Sequence, residues 1–330
     1  MKLNITRMLA VAAASTAVLG AMMLPARDAL AQQYPDKPVK LIVGFPPGGT
    51  NDILARIFSV KLQEKLKQSF VVENKPGAAS IIAAEYSAKA KADGYTLFVA
   101  SSGALTINPS LYSRLPYDPV RDFEPIAVLG SFPLVVTVHA DSPYKNIKDL
   151  IDAAKKPGAR TLDHAVGSST FQLAAELFAR ESGFKLSHVP YKGSGPAVMS
   201  VLSGETQFSV SDISAVLSQI KGGKLRGLAV TTPTRSSTLP DVPTLSETVI
   251  PGYDATIFTG LVAPKGTPPA VIAAVRAALK EILDDKDVVR QIERLGMAPG
   301  NTDTAAFAKR ISSDIAKWSA LAKSANIKAE

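Results

Sequence analysis

An α/β protein of two lobes is the fold class this sequence predicts, and three observations predict it. Short β-branched runs alternate with helix-spaced segments from 39 to 101. The same alternation resumes from 134 to 231. Pro-rich stretches at 108–125 and 232–247 bound the two series on their C-terminal sides. Strand–helix–strand alternation builds a parallel sheet with helices on its faces, and Pro clusters mark connections.

VKLIVGF (39–45), FVVEN (70–74) and TLFVAS (96–101) are expected strands. ILARIFSVKLQEKLKQ (53–68) and IIAAEYSAKAK (81–91), with apolar residues at helical spacing, are the helices between them. In the second series, strands are expected at 134–140, 161–166, 186–191, 208–212 and 225–231, with helices at 147–156, 171–182, 197–204 and 214–221. A strand at 257–264 and two long helices, 268–283 and 305–325, end the chain and are expected to cover the first sheet. The first lobe is thus assigned 32–132 and 233–330, and the second 133–232.

Ahead of these elements stand Lys2 and Arg7, an apolar run from 8 to 24, and Ala29-Leu30-Ala31 before polar Gln32 and Gln33. A basic start, an apolar stretch and a small-residue cleavage pattern read as a cleavable signal peptide over 1–31, with a membrane anchor as the alternative. No paired arginines precede the run. Removal of 1–31 leaves 299 residues, enough for about two domains. The chain has no cysteine, which excludes disulfides and thiolate-bound metals. Net charge is +8, or +6 without the signal peptide, and the Lys and Arg residues are scattered rather than blocked. That pattern excludes nucleic acid as a partner and leaves a mild attraction for small anions.

Three strand ends carry small polar residues. FPPGGTND (45–52) joins the first strand to the first helix, and its glycines let the backbone approach a ligand. First-turn N–H groups of a helix lack intrahelical partners and favour an anion. The stretch lacks the G-x-G-x-x-G spacing of a dinucleotide site, so a compact turn competes with an anion socket. Ser101-Ser102-Gly103 and Gly167-Ser168-Ser169-Thr170 repeat the arrangement, the latter also suiting a helix N-cap. Pro190-Tyr191-Lys192-Gly193-Ser194-Gly195-Pro196 offers an aromatic wall, a cation and glycine backbone donors. Asp212 suits either a cap or the cleft, and Asp52 a cap or a ligand contact.

His139, His164 and His188 lie in or at the ends of strands without metal-ligand spacing, so no metal and no cofactor is expected. Ser194 lies in G-S-G, outside a nucleophile elbow, and the sequence pattern places no acid visibly to orient His188. The histidines are expected to be satisfied locally, and no residue is assigned a catalytic role.

The ordered stretches YPDKPVKLIVGFPPGGTNDILAR, VVENKPGAA, DGYTLFVASSGALTINPSLY, LPYDPVRDFEPIA, HVPYKGSGPA, GKLRGLAV, LPDVPTLSE, PGYDA and APKGTP span the chain after residue 33. Together they resemble the periplasmic solute-binding receptors of tripartite tricarboxylate transporters, the Bug proteins. The resemblance implies a two-lobed, type II "Venus flytrap" periplasmic binding protein with a central cleft. It implies a non-enzymatic monomer in the periplasm that closes on a small carboxylate: a di- or tricarboxylate, an acidic amino acid or an aromatic acid. Integral membrane transporter subunits are the implied partner, with ligand presentation to a sensor kinase as the alternative; apart from the resemblance, an exported hydrolase using Ser194 and His188 is a remote third reading. Carried over by position, the family site falls on Phe45, Gly48, Gly49, Asp52, Ser101 and Ser102 in the first lobe. In the second it falls on Ser168, Ser169, Tyr191, Lys192, Gly193 and Asp212. Ile81, Gln172, Ser200 and Gln207 depart from the family's usual residues and are expected to alter the polar contacts of the pocket.

Overall fold

The computed structural model describes residues 34–325 and 327, and the expected signal peptide lies outside them. The compact body that carries both sheets begins at Lys37. Its first part runs β1 (Val39–Val43), α1 (Thr50–Leu66), β2 (Phe70–Asn74), α2 (Ile81–Ala88), β3 (Thr96–Ser101), a π-turn (Gly103–Ile107), α3 (Asn108–Leu111) and β4 (Phe123–Phe132). The second sheet is built from β5 (Leu134–His139), β6 (Leu162–Val166), β7 (Leu186–Pro190), β8 (Phe208–Asp212) and β9 (Leu225–Val230). Between its strands lie α4 (Ile147–Lys155), α5 (Ser169–Ser182), α6 (Ser194–Leu202) and α7 (Ile213–Lys221). The chain then continues through α8 (Leu245–Thr248), β10 (Ile257–Pro264), α9 (Pro269–Asp284), α10 (Lys286–Arg294), β11 (Ala298–Asn301) and α11 (Thr304–Ala325).

A six-stranded and a five-stranded sheet result, in the orders β11-β4-β10-β3-β1-β2 and β7-β6-β8-β5-β9. They are mixed, where the sequence pattern predicts parallel ones. β1 pairs in parallel with β2 and β3, but β10 runs antiparallel to both β3 and β4. In the second sheet β5 runs antiparallel to β8 and β9. The physical reason lies in the connection: β4 carries the chain out of the first sheet and β10 brings it back, so paired neighbours point opposite ways.

β4 starts inside the expected connection 108–125 and runs on through 126–132, for which the sequence pattern, interrupted by Pro125 and Gly130, offers no strand. It is tolerated through register shifts in the β4–β10 ladder, between Thr259 and Gly260 and between Leu261 and Val262. The tail also holds more than two helices. α10 and β11 lie between α9 and α11, and β11 adds an edge to the first sheet beside β4. α9 packs on α1 and α11 on β4 and the π-turn, so the tail does cover the first sheet.

Sheet membership places the outward crossing at Pro133, between β4 and β5. After β9 the chain stays with the second sheet: Val230 bridges Thr244, and Ala255 N–H bonds Thr231 O. The stretch 233–255, assigned by composition to the returning first lobe, therefore lies against the second sheet, and β10 is the return. β1, β3 and β10 are buried and largely apolar, as strands covered on both faces are, whereas β8 is buried throughout yet carries Ser209, Ser211 and Asp212. No helix among the described residues is long and apolar enough to cross a membrane.

Candidate functional site

A cavity of about 850 Å³ lies where the carboxyl ends of strands from both sheets face each other. From the first lobe it is lined by Phe45–Asn51, Ile53 and Ser101–Gly103, and from the second by Gly167, Ser168, Thr170, Phe171, Gly193–Pro196 and Asp212. The lobes also touch directly. Thr50 Oγ1 donates to Asp212 Oδ1 at 3.3 Å and shares a hydrogen with Ser214 Oγ at 2.8 Å.

Four helices begin at this cavity, and their starts differ. Ser168 caps α5, its side chain accepting from Phe171 N–H at 3.3 Å. Asp212 caps α7, accepting from Ala215 N–H at 3.2 Å. α1 and α6 begin instead at Gly49 and Gly193, and no side chain caps either. A glycine start leaves the first-turn N–H groups without a side-chain acceptor, so an anion can take that place. One such start comes from each lobe. Ser102 adds a hydroxyl that is 3% exposed, lines the cavity and lacks a hydrogen-bond partner. A buried hydroxyl left unpaired costs about 1 to 3 kcal/mol, which a ligand oxygen would recover.

Asp52 lies behind the loop rather than in the cavity. Its side chain is 2% exposed. Oδ2 accepts from Gly48 N–H at 2.9 Å and Arg56 Nε at 2.9 Å. Oδ1 accepts from Arg56 Nη2 at 3.0 Å and Asn74 Nδ2 at 2.9 Å. Asn74 Nδ2 also donates to Phe45 O at 2.9 Å. The acid therefore neither caps the helix from the N-cap position nor reaches the cavity: it ties the loop to α1 and β2. Burial raises its pKa, but the donors Arg56, Gly48 N–H and Asn74 outweigh burial and hold the carboxyl below its ordinary value. From the other side Gly44 fixes the loop, since a Cβ there would lie 1.7 Å from Ser80 Oγ. Ser80 ends a run of three non-glycine residues in the left-handed region, Ala78, Ala79 and Ser80 with φ of 44°, 51° and 71°.

Phe45, Gly48, Gly49, Ser101, Ser102, Ser168, Gly193 and Asp212 line the cavity, whereas Asp52, Ser169, Tyr191 and Lys192 do not. Lys192 is exposed, and the Tyr191 hydroxyl is buried without a partner. Sequence reasoning missed Thr50, Phe171, Leu217, Lys221 and Arg294 as cavity residues. Thr50 and Phe171 had a signal, the first beside the glycine pair and the second directly after Gly167-Ser168-Ser169-Thr170; Leu217, Lys221 and Arg294 sit in helices away from any loop motif. Ile81, Gln172, Ser200 and Gln207 do not line the cavity either. Ser200 Oγ bonds Ala197 O and Thr206, and Gln207 Oε1 accepts from Asp163 N–H, so two of these departures serve the fold.

The histidines are satisfied locally. Val210 N–H donates to His164 Nε2 at 3.1 Å, so His164 carries its proton on Nδ1 and donates to His188 Nδ1 at 3.0 Å. His188 Nε2–H then donates to Glu176 Oε1 at 2.6 Å. Ser194 Oγ donates to Asp212 Oδ2 at 2.5 Å and has no imidazole on it, which removes the hydrolase arrangement. Burial, aided by His188, pushes the His164 pKa well below its ordinary value. Above pH 6.5 both folded and unfolded chains hold it neutral; below that the unfolded chain takes up a proton that the folded one refuses. Stability is therefore expected to fall below about pH 6.5, at up to about 1.4 kcal/mol per pH unit from this group. Chemical denaturation of wild type and His164→Gln from pH 5 to 8 checks this: the variant's curve is expected to be flatter below pH 6.5.

Among the described residues no group of three or more His, Asp or Glu could hold a metal ion. The tripartite tricarboxylate transporter family receptor model matches residues 54–327. Protein BugT of Bordetella pertussis is 35% identical over 329 residues, covering 99% of each chain. The R. palustris protein Rpa4515, solved with adipate, has 33% identity and a TM-score of 0.83, covering 89% of this chain and 99% of that one. The periplasmic binding protein BugD has 30% identity and a TM-score of 0.80, covering 90% of this chain and 100% of that one. A glycine-and-serine cleft between two α/β lobes and a family match over most of its length make this chain a member of the tripartite tricarboxylate transporter receptor family, a family of solute-binding proteins rather than enzymes.

Proposed function

We propose that the protein captures a small carboxylated solute in the interlobe cavity, in the periplasm, and delivers it to the membrane subunits of a tripartite tricarboxylate-type transporter. The observation that carries this reading is the pair of glycine-started helices, α1 and α6, presenting uncapped N-termini to one cavity from two lobes. Neutral backbone donors and the unpaired Ser102 hydroxyl suit a carboxylate without a buried counter-charge. Phe45, Gly48, Gly49, Ser101, Ser102, Ser168 and Gly193 would hold it, and Asp212 would stay engaged with the hydroxyls around it. Adipate in Rpa4515 supports a carboxylate as the solute class. A ligand that touches both lobes favours the closed state by its differential affinity, which is how capture becomes a signal to a permease.

Thermal-shift and calorimetric screening tests the reading. Carboxylates are expected to raise the melting temperature, and Ser102→Ala is expected to weaken binding by about 1 to 3 kcal/mol. Stabilisation by uncharged solutes alone would sink it.

A further inference from the structure

Lys221 ends α7 in the second lobe and Arg294 ends α10 in the first, and both line the same cavity. Both are exposed, and among the described residues neither side chain makes an ion pair or hydrogen bond. A cation at a helix C-terminus is ordinarily explained by the helix dipole. That accounts for each residue separately, not for two cations turned to one cavity from opposite lobes. The remaining ionisable lining residue, Asp212, pairs with neither and is engaged by its own lobe and by Thr50. Its Oδ2 is held by Ser194, and its Oδ1 by Thr50, Ser214 and the Ala215 N–H.

Much of the remaining lining of this cavity is apolar, with Phe45, Ile53, Phe171, Pro196, Leu217 and Leu295 among it, beside the polar Asn51, Ser214 and Ser218. Hydroxyl or carboxyl groups in mid-ligand that lie against these apolar side chains would be desolvated without hydrogen bonds. Two unpartnered cations also oppose lobe closure, because like charges brought together in a closing cleft repel. An acid group placed between them turns that repulsion into attraction.

Building on the carboxylate reading above, we infer that Lys221 and Arg294 form a cross-cleft cation pair for the far acid group of the solute, an α,ω-dicarboxylate with an apolar spacer. One carboxylate sits on the glycine and serine wall and the other between the two cations. Closure is thereby coupled to the presence of both charges.

Calorimetry with adipate and terephthalate as diacids, hexanoate and benzoate as the matching monoacids, and citrate as a polar-bodied acid tests this. Each diacid is expected to bind at least about tenfold more tightly than its monoacid, and more salt-sensitively. Citrate is expected to bind more weakly than the diacids. The Lys221→Met/Arg294→Met double variant is expected to reduce the diacid's advantage to about threefold or less, since exposed charge pairs are worth at most about a few-fold each. A monoacid as tight as its diacid, a double variant that keeps the full advantage, or citrate binding most tightly would each overturn the inference while leaving carboxylate capture standing. Binding of no carboxylate, with uncharged solutes bound instead, would remove the parent reading along with it.

Discussion

Asp52→Asn is expected to lower the stability of the protein by about 2 to 3 kcal/mol at neutral pH, a large loss for a change of one atom. The carboxylate satisfies four donors: Gly48 N–H, two nitrogens of Arg56 and Asn74 Nδ2. An amide keeps one oxygen and turns an NH₂ group toward donors, so at least one buried N–H loses its acceptor. The Arg56 part is discounted, because that side chain is 54% exposed and its pairing is screened by water. The buried donors carry the cost. Asp52 is held below its ordinary pKa, so its contribution is complete above about pH 3.9 and is lost as pH falls through the lowered folded value. The gap between wild type and variant, followed by urea denaturation, should stay constant from pH 5 to 8 and shrink only below about pH 4. Carboxylate affinity should fall less than tenfold, because Asp52 reaches the ligand only through the loop it holds. A kept melting temperature with lost affinity would make Asp52 a ligand contact instead.

Gly103→Ala should weaken ligand binding strongly while leaving the fold nearly untouched. Gly103 opens the π-turn in the first lobe, and a Cβ there would lie 2.7 Å from Thr170 Oγ1, in the second lobe, and 3.4 Å from Ser101 Oγ. Thr170 sits in the first turn of α5, where a β-branched side chain has few rotamers to escape into. The overlap therefore exists only with the lobes together, and opening the cleft relieves it. Overpacking of this kind costs about 1 to 3 kcal/mol, or roughly 5- to 150-fold in affinity when it acts on the closed state alone. Calorimetry should show the loss, with the melting temperature of the ligand-free protein within a few degrees of wild type. Thr170→Ala in the same chain removes the clashing hydroxyl and should recover most of the affinity, a coupling that a double-mutant cycle measures. Equal loss in the single and double variants would mean that the residues do not meet in the ligand-bound form.

The strand–helix rhythm was legible because it is a local property. β1, β3 and β10 fall where the apolar runs place them, since a strand buried on both faces is largely apolar. β4 was not legible, since its Pro and Gly are accommodated by bulges against β10 that no single strand encodes. Asp52 shows the same division within the cleft. Its neighbourhood to the glycine pair is visible in the sequence, but its partners Arg56 and Asn74 turn it from the cavity and make it a brace.

Alone, the sequence determined that this is a two-lobed α/β chain of a solute-receptor family, with glycine-rich loops at strand ends where backbone donors stay open. Periodicity, glycine placement and ordered motifs are written along the chain, so they can be read there. Only the tertiary structure decided which residues share the cleft. Thr50 and Asp212 meet across 162 positions, and Lys221 and Arg294 come to one cavity from helices of different lobes. Such meetings depend on how two sheets face each other, which local spacing does not report.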